Sequence, residues 1–379
     1  MRTSLGGADF PGHLLWFNLA MDESDPILGF TSSWVRTMAP RVPRIHVVTM
    51  RRGQISPLPP QVNLTSLGKE TGTPEIIRAL RFYATLAQIL RRERISVCFS
   101  HMTPIFTIMA APLLKLWKVP VVTWYAHRAV TRRLRWADRL STRVVSVNGR
   151  SYPLVSSKLV QIGHGIDTQF FEPAPNVSRS LHDILVVSRI SPIKDPSVLF
   201  EVVPKLREGG LPVRCTLVGA PPDRDLEFSR QLERKLVDKG LQDQIRFAGP
   251  AVTGQVRDWY RRCGVHVHVA PANNAVDKVP LEAMATGLVS FSSAASLQET
   301  LGQYRDLLFF KENDPDDLKQ KLETFFRLSD SERENMAAYL RNRVVQMHDL
   351  RNLVDRLLDV FRSCTVPGKG EADRPIGQS

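Results

Sequence analysis

The chain has 379 residues, of which 43% are apolar and 23% charged, a composition typical of a globular protein. Its four widely spaced cysteines argue against a disulfide framework, and its longest apolar stretch, residues 103–114, is too short for a transmembrane helix. The formal net charge of +13 is uneven, since residues 1–172 carry 22 Lys and Arg against 10 Asp and Glu. We therefore expect the first half to face an anionic partner: a membrane surface, a phosphorylated acceptor or nucleic acid.

Predicted strands and helices alternate along the first half. The elements of this half, each an apolar run or a segment of helical period, are strands at 12–18, 45–50, 95–100, 119–123, 143–147 and 159–162, with helices at 75–90, 104–117 and 128–140. Glycines around residue 163 and prolines in 170–179 indicate a connection, so the first domain is predicted to span 12–172.

The second half repeats the alternation. Its predicted strands and helices are strands at 183–187, 214–218, 244–248, 265–269, 288–292 and 306–310, with helices at 196–208, 225–239, 253–262, 314–327, 331–346 and 349–363. The pattern predicts a second α/β domain over 173–346 and a terminal helix at 347–363 that packs back on the first domain. Residues 1–10 and 365–379 are predicted to be disordered.

Residues 271–299 contain a loop and a helix start just beyond the predicted strand 265–269. Free N–H groups and the positive end of a helix dipole make such a place suitable for phosphate. Pro280 suits the first helical turn, and Glu282 in that turn is placed to reach a sugar hydroxyl. An ordinary core helix with an incidental glutamate is the alternative.

Cationic and histidine side chains mark further candidate sites. Arg189 and Lys194 stand five residues apart across a strand-to-helix turn, where two cations would neutralise a diphosphate, or they are simply surface residues of that turn. His101 and His127 each follow a predicted strand at its carboxyl end, and we interpret His101 as structural.

A basic helical face is predicted at 128–140. Arg128, Arg132, Arg135 and Arg139 share one side of the helix, opposite Val130, Leu134 and Ala137. Such a face would dock on anionic head groups or phosphates, unless it is only solvated.

Several motifs in a fixed order resemble the retaining glycosyltransferases of the GT-B fold, glycosyltransferase family 4 or glycosyl transferases group 1. The motifs are IGHGID at 162–167, VVSRISPIKD at 186–195, LVGA at 217–220, IRFAGP at 245–250, VHVHVAPA at 265–272, DKVPLEAMATGLV at 277–289 and HDL at 348–350. The resemblance implies an α/β chain with two Rossmann-like α/β/α domains facing each other across a cleft.

The resemblance also implies roles for particular residues. Arg189 and Lys194 correspond to the pair at the donor diphosphate, and Glu282 to the acidic residue that holds the ribose hydroxyls. Backbone N–H groups of Ala275, Val276, Asp277, Lys278 and Val279 would cradle the phosphates. His127 resembles the histidine beside the transferred sugar, and Gly29 the glycine of a loop that closes over the substrates.

One position departs from the family pattern, which pairs two glutamates eight residues apart. Eight positions before Glu282 stands Asn274, so the carboxylate that usually contacts the donor sugar is missing. We hypothesise that Asp277 takes over this contact and that Lys278 adds charge at the phosphates. The alternative is a degenerate transferase that has lost donor recognition.

The expected reaction moves a sugar from a UDP- or GDP-sugar to an acceptor hydroxyl with retained configuration, without metal or other cofactor. The expected acceptor is a lipid-linked or cell-surface glycan precursor. The expected location is the cytoplasm, with peripheral attachment to the inner face of the plasma membrane through the basic first half. The alternative function is a catalytically degenerate basic module that binds membranes or polyanions, and we expect no nucleic-acid partner because no aromatic-interleaved basic motif is present.

Overall fold

The computed structural model describes residues 10–25, 28–127 and 129–365, apart from the side chain of Arg150. These residues form two compact units. The first comprises 10–22, 30–162 and 354–365, and the second comprises 23–25, 28–29 and 163–353. The division falls between Ile162 and Gly163, earlier than the predicted boundary at 172, and the last helix joins the first unit from Val354 onwards.

The first unit contains a parallel sheet of seven strands among its described residues. Its strands are β1 (His13–Met21), β2 (Ile45–Arg52), β3 (Val62–Ser66), β4 (Ile95–His101), β5 (Val121–Trp124), β6 (Arg143–Ser146) and β7 (Leu159–Gln161). Their order is β3-β2-β1-β4-β5-β6-β7. The apolar runs of the sequence form these strands because parallel strands are covered on both faces, as Leu14 and Phe17 of β1 illustrate, both fully buried.

Helices connect the strands of the first unit. They are α1 (Phe30–Met38), α2 (Glu75–Arg92), α3 (Pro104–Leu116) and α4 (Arg132–Leu140). Phe10, at the end of the segment predicted to be disordered, is buried and packs edge-on against Phe361 of the final helix. The rest of that prediction, residues 1–9 and 366–379, lies outside the described residues.

The second unit contains a parallel sheet of five strands in the part of the chain described. Its strands are β8 (Ser180–Val187), β9 (Arg214–Val218), β10 (Ile245–Gly249), β11 (Cys263–His268) and β12 (Ser290–Ser292), in the order β10-β9-β8-β11-β12. The chain winds outward from β8 in one direction as far as β10, and then returns to place β11 on the other side of β8. The crevice beside such a reversal, at the carboxyl ends of the strands, is where open α/β sheets bind ligands.

The helices of the second unit follow the predicted pattern closely. They are α5 (Leu199–Glu208), α6 (Leu226–Asp238), α7 (Thr253–Arg262), α8 (Lys278–Ala285), α9 (Gln298–Leu301), α10 (Arg305–Leu308), α11 (Pro315–Arg327), α12 (Asp330–His348) and α13 (Leu350–Thr365), the last shared with the first unit. The predicted strand at 306–310 is wrong. The chain there makes the short helix α10 and leaves a single bridge, from Phe309 to Ser292.

The HDL motif has a structural role in the second unit. His348 Nε2 lies 2.9 Å from the Thr300 hydroxyl, and the Asp349 carboxylate accepts hydrogen bonds from Thr168 and Arg351. A backbone bridge pairs Ile166 with Asp349. The motif therefore ties the start of the second unit to the junction of α12 and α13.

Candidate functional site

The candidate site lies at the carboxyl ends of β8 and β11, where the strand order of the second sheet reverses. Lys194 belongs to a short 3-10 turn, Pro192–Lys194, that follows β8. His268 ends β11, and Asp277 precedes the first residue of α8. Two loops that are remote in sequence therefore deliver their side chains to one place.

Four side chains converge here and are called the Asp277 cluster: Lys194, His268, Asn274 and Asp277. Lys194 Nζ donates to Asp277 Oδ2. The same oxygen lies 2.8 Å from His268 Nε2 and 2.8 Å from Asn274 Nδ2. Asp277 Oδ1 makes no hydrogen bond among the described residues, and the side chain is 32% exposed. One carboxylate oxygen is thus saturated while the other can accept from a ligand.

His268 connects the cluster to the core of the sheet. Its Nδ1 lies 2.9 Å from the Ser292 hydroxyl, which also accepts a hydrogen bond from the Ala294 N–H. Because Asp277 is an acceptor, His268 Nε2 carries the proton and Nδ1 accepts from Ser292. The Asp277 carboxylate is therefore held in place by the hydrogen bonds that run through His268 to Ser292, as well as by Lys194.

The charges of the cluster follow from this geometry. Burial raises the pKa of the Asp277 carboxyl, but the hydrogen bond from His268, the charge that His268 gains in acid, and the charge of Lys194 outweigh it and hold that pKa well below its ordinary value. Burial lowers the pKa of His268 by more than Asp277 raises it. Near neutral pH the cluster contains an ionised Asp277 and a neutral His268.

A second group stands on the first turns of α8 and beside it: Tyr260, Lys278 and Glu282, called here the Glu282 group. Tyr260 is fully buried; its hydroxyl donates to the Val279 carbonyl oxygen at 3.3 Å and acts on the pKa of the neighbouring Glu282. Burial raises the pKa of Glu282 to about 7, against the opposing effects of Lys278 and Tyr260. Burial likewise lowers the pKa of Lys278 to about 7, although the Glu282 charge raises it. Perturbed groups of this kind cluster at functional sites.

The beginning of α8 explains why this helix end is available to a ligand. Asp277 occupies the N-cap position but its side chain caps no N–H, because the carboxylate is engaged by the cluster. The first turn of any helix leaves N–H groups without intrahelical partners. Lys278 and Val279 are the first two helical residues, so the predicted phosphate cradle at 275–279 coincides with a real helix start.

His164 of the IGHGID motif is a further member of this neighbourhood. Its side chain is buried, and its Nδ1 makes no hydrogen bond with the described residues. Burial, together with the charges of Lys278 and His348, lowers the pKa of His164 to about 3. The neutral imidazole lies beside Val276, Asp277 and Lys278, at the start of α8.

Arg189 differs from Lys194 in its surroundings. It follows β8 directly, is exposed, and its guanidinium makes no ion pair with the described residues. Gly219 lets the chain pack closely against Ser188, the residue before Arg189. A Cβ at this glycine, whose φ is +142°, would lie 1.8 Å from the Ser188 carbonyl oxygen. The structure brings Lys194, Asp277 and Asn274 together, and it leaves Arg189 accessible.

In the first unit, the two histidines have different environments. His101 is buried among aromatic rings, with Trp34 at 5.0 Å and Phe30 at 5.7 Å between ring centroids, as expected of a structural residue. His127 is exposed, and its Nδ1 accepts a hydrogen bond from the Ala129 N–H at 3.0 Å. Its Nε2 therefore carries the proton, and it has no acceptor among the described residues. Gly29 donates its N–H to the Asp25 carbonyl in a turn that clusters with the second unit.

The basic face of the first unit is shorter than predicted. Helix α4 begins at Arg132, after the N-cap Thr131, so Val130 lies outside the helix and is 48% exposed rather than part of an apolar stripe. Arg132, Arg135 and Arg139 are exposed opposite the buried Leu134 and Ala137. Arg128 lies outside the described residues.

Sequence reasoning missed His268, Ser292 and Tyr260. His266 and His268 alternate along β11 and pair in register with Ser290 and Ser292 of β12, each Nδ1 lying within 2.9 Å of a hydroxyl. An H-x-H strand followed by an S-x-S strand was the available signal. Tyr260 carried none, because a tyrosine in an amphipathic helix is usually a core residue.

Comparison with known proteins matches one family model to the second unit. Residues 182–327 match the family model described as glycosyl transferases group 1. The match begins at the first strand of the second unit and ends with α11. These 146 of the 379 residues are similar to the glycosyl transferases group 1 family, which confirms the resemblance drawn from the motifs in this part of the chain.

Several curated relatives are D-inositol 3-phosphate glycosyltransferases. A D-inositol 3-phosphate glycosyltransferase of Streptosporangium roseum is 25% identical over 187 residues, which is 46% of this chain and 43% of that protein. Another, of Geodermatophilus obscurus, is 32% identical over 135 residues, 32% of this chain and 30% of that protein. The chain thus matches less than half of the length of these relatives.

Solved structures resemble the chain over both units. Anabaena Alr3699/HepE, in complex with UDP and glucose, aligns with a TM-score of 0.71 at 14% identity, covering 93% of this chain and 100% of that one. Sucrose-phosphate synthase from Thermosynechococcus elongatus gives a TM-score of 0.69 at 14% identity, with 93% and 99% covered. These likenesses confirm the fold class, an α/β chain with two Rossmann-like domains of the GT-B type.

Proposed function

We propose that the chain transfers a sugar from a nucleoside diphosphate sugar to an acceptor hydroxyl, and that its second unit binds the donor. The observation that carries this proposal is the convergence of the Asp277 cluster and the start of α8 at the reversal of strand order. A lysine, an exposed arginine and a helix amino terminus provide the positive charge and the N–H donors that bind a diphosphate. The glycosyl transferases group 1 match over 182–327 supports the same reaction class.

In the proposed step, the bond between the anomeric carbon and the diphosphate oxygen breaks, and the nucleoside diphosphate leaves with the electron pair. The acceptor oxygen bonds to the anomeric carbon on the same face, so configuration is retained, and its proton passes to the departing phosphate oxygen. Arg189 and Lys194 stabilise the charge that develops on that phosphate. The ammonium of Lys194 has three donors, so it can hold Asp277 and a phosphate oxygen together.

Asp277 is proposed to replace the missing glutamate at position 274 as the carboxylate that contacts the donor sugar. Its Oδ1 is available, whereas Oδ2 is held by three donors that fix the orientation of the group. Asn274 then acts indirectly, by donating to Asp277 at 2.8 Å. This arrangement favours a working transferase over a degenerate one.

Glu282 is proposed to bind the ribose hydroxyls, with Tyr260 and Lys278 setting its charge. The similar Anabaena structures hold UDP, UDP-glucose, or UDP with glucose, which favours a UDP-sugar among the two expected donors, UDP- and GDP-sugars. The roles of His127 beside the transferred sugar and of Gly29 in a closing loop stay predictions that rest on the family resemblance. We also propose that turnover requires no metal ion, because cationic side chains and the helix dipole neutralise the diphosphate.

The acceptor is proposed to be anionic or membrane-borne, such as a lipid-linked glycan precursor. On α4 the exposed Arg132, Arg135 and Arg139 lie near Trp136, which is 55% exposed and has the Arg139 guanidinium 5.4 Å from its ring centroid. Arginines beside an exposed tryptophan suit the surface of an anionic membrane. In the described part of the chain, no helix is long and apolar enough to cross a membrane. We propose peripheral attachment on the cytoplasmic side.

The test is a thermal-shift screen of the intact chain against UDP-, GDP- and ADP-sugars, followed by detection of released nucleoside diphosphate. We expect one nucleotide to raise the melting temperature and to be turned over, and we expect Arg189→Gln to reduce both effects. Lys205→Gln, which removes an exposed lysine paired with Asp316, is the matched control and should behave as wild type. Steeply salt-dependent binding of a polyanion, with no nucleotide-sugar turnover, would instead favour the non-catalytic basic module.

A further inference from the structure

Three side chains of the first unit meet at the amino-terminal edge of its sheet, opposite the edge where His101 ends β4. His13 is the first residue of β1, His46 is the second residue of β2, and Glu93 follows α2 just before β4. The strands are direct neighbours, with Leu15 opposite His46 and His13 opposite Ile95. The topology therefore fixes the relative positions of the three side chains.

The distances within this trio suit a shared ion. His13 Nδ1 lies 2.9 Å and His46 Nε2 lies 3.8 Å from Glu93 Oε2, and one ligand atom from each residue lies within 4.8 Å of the others. Ligand atoms each about 2.1 Å from a tetrahedrally coordinated metal ion lie about 3.4 Å from one another. Binding would therefore draw the most widely separated pair closer by up to about 1.4 Å, through rotation of the partly exposed His13 and Glu93 side chains.

His46 provides an independent sign of a ligand. Its side chain is nearly completely buried, with 5% of the residue exposed, and its Nε2 makes no hydrogen bond with the described residues. A buried polar nitrogen without a partner is costly, so such nitrogens are normally satisfied. The orphaned nitrogen faces Glu93, and binding of an ion there would satisfy it.

The surroundings leave the site open to an ion. His13 and Glu93 have side chains 26% and 23% exposed, which gives access from solvent. Arg44 Nη1 lies 3.8 Å from Glu93 Oε1, the other carboxylate oxygen, so it does not occupy the ligand position. Its positive charge weakens cation binding without blocking it.

We propose that His13, His46 and Glu93 bind a divalent transition-metal ion, with Zn²⁺ as the ion best suited to two imidazoles and one carboxylate. Water would complete its coordination. The ion would clip β1, β2 and the junction of α2 with β4 together. Its place at the amino-terminal edge of the sheet makes it a structural site, separate from the proposed donor chemistry in the second unit.

The experiment is equilibrium dialysis of the intact, untagged chain against Zn²⁺, with metal counted by mass spectrometry and melting followed with and without Zn²⁺. We expect one Zn²⁺ per chain and a higher melting temperature. Glu93→Gln and His13→Gln should each weaken binding at least about tenfold. Both side chains are partly exposed, and circular dichroism will show that each variant is folded.

Two further variants distinguish a metal-binding site from an ordinary ion pair between His13 and Glu93. Arg44→Gln should tighten Zn²⁺ binding because it removes a competing charge, whereas a purely structural His13–Glu93 pair predicts no such gain. His182→Gln, a histidine of the second unit that packs on Phe326, should leave binding unchanged. The proposal is overturned if the wild type binds no Zn²⁺ at micromolar concentrations, or if Glu93→Gln and His13→Gln bind it as tightly as the wild type.

Discussion

The two units place their charges in opposite ways. The basic residues that give residues 1–172 their excess lie mostly on the surface, as Arg132, Arg135 and Arg139 do on α4. The second unit, taken from a nearly neutral half of the chain, instead shields ionisable groups from solvent beside a helix start, among them Glu282 and Lys278. We therefore propose that the chain meets its partner where the net charge is high and carries out its chemistry where charge is shielded from solvent.

The largest effect should come from breaking the Asp277 cluster. Asp277→Asn keeps the shape of the side chain but removes the charge that orders Lys194 and His268, and it weakens the available sugar contact. We expect kcat/KM to fall at least about a hundredfold, comparable to the loss of a preorganised electrostatic contact. Steady-state release of nucleoside diphosphate measures it, with Lys205→Gln as the control. Unchanged turnover at saturating donor would refute the role of Asp277.

Removing the positive surface charge of α4 should weaken binding to anionic membranes and leave donor turnover unchanged. Replacing Arg132, Arg135 and Arg139 together by Gln should weaken binding to anionic liposomes about a hundredfold, since each basic residue near the surface contributes about 1 kcal/mol. Co-sedimentation measures it, with a triple replacement of Arg224, Arg230 and Arg234 in the second unit as the charge-matched control. Equal binding of wild type to neutral and anionic vesicles would contradict the electrostatic account.

Substitutions at Arg189 and Lys194 should differ in their effects on donor affinity and on thermal stability. Arg189 is exposed, so Arg189→Gln should weaken donor binding about tenfold, the loss of one charged hydrogen bond, without lowering the melting temperature. Lys194→Gln should weaken binding and also destabilise the second unit, because it leaves Asp277 with one cationic donor fewer. Isothermal titration measures the donor affinity and melting curves measure the stability of each variant. The prediction is contradicted if both variants melt at the same temperature as the wild type.

The smallest predicted effect is a shift in pH dependence. Glu282 has a raised pKa, about 7, so it gains a proton as the pH falls through 7 and the acceptor for the ribose hydroxyls is lost. Donor affinity should therefore decrease below pH 7. Tyr260→Phe removes the hydroxyl that lowers this pKa, and it should move the midpoint to higher pH. A pH-independent affinity in the wild type would argue against Glu282 as the ribose ligand.

Much of this molecule could be predicted from sequence. Buried strands such as β1 and β8 are continuous apolar runs, and α7 was predicted with its observed bounds, Thr253–Arg262, because a helical period and flanking turn residues agree. The segment at 306–310 was predicted wrongly, because a short apolar run does not distinguish a strand from one helical turn. The local sequence pattern therefore predicts long helices and buried strands well, but it does not identify the structure of a short apolar segment.

The site was only partly predictable, for a physical reason. Lys194, Asp277 and Glu282 follow strands or begin a helix, so their places at the sheet edge could be inferred along the chain. The contacts that give them their charge states come from residues remote in sequence, such as Ser292 behind His268 and Tyr260 beside Glu282. The trio His13, His46 and Glu93 likewise has no sequence spacing typical of a metal site, since it depends on strand order.

Hydrogen exchange of the intact chain with and without its nucleotide sugar tests the central claim most directly. We predict that the donor slows exchange in residues 189–195 and 270–282 and leaves α4 unchanged, because the donor binds at the start of α8. Protection confined to α4 and its flanks, with none at 189–195 or 270–282, would contradict the assignment of donor binding to the second unit.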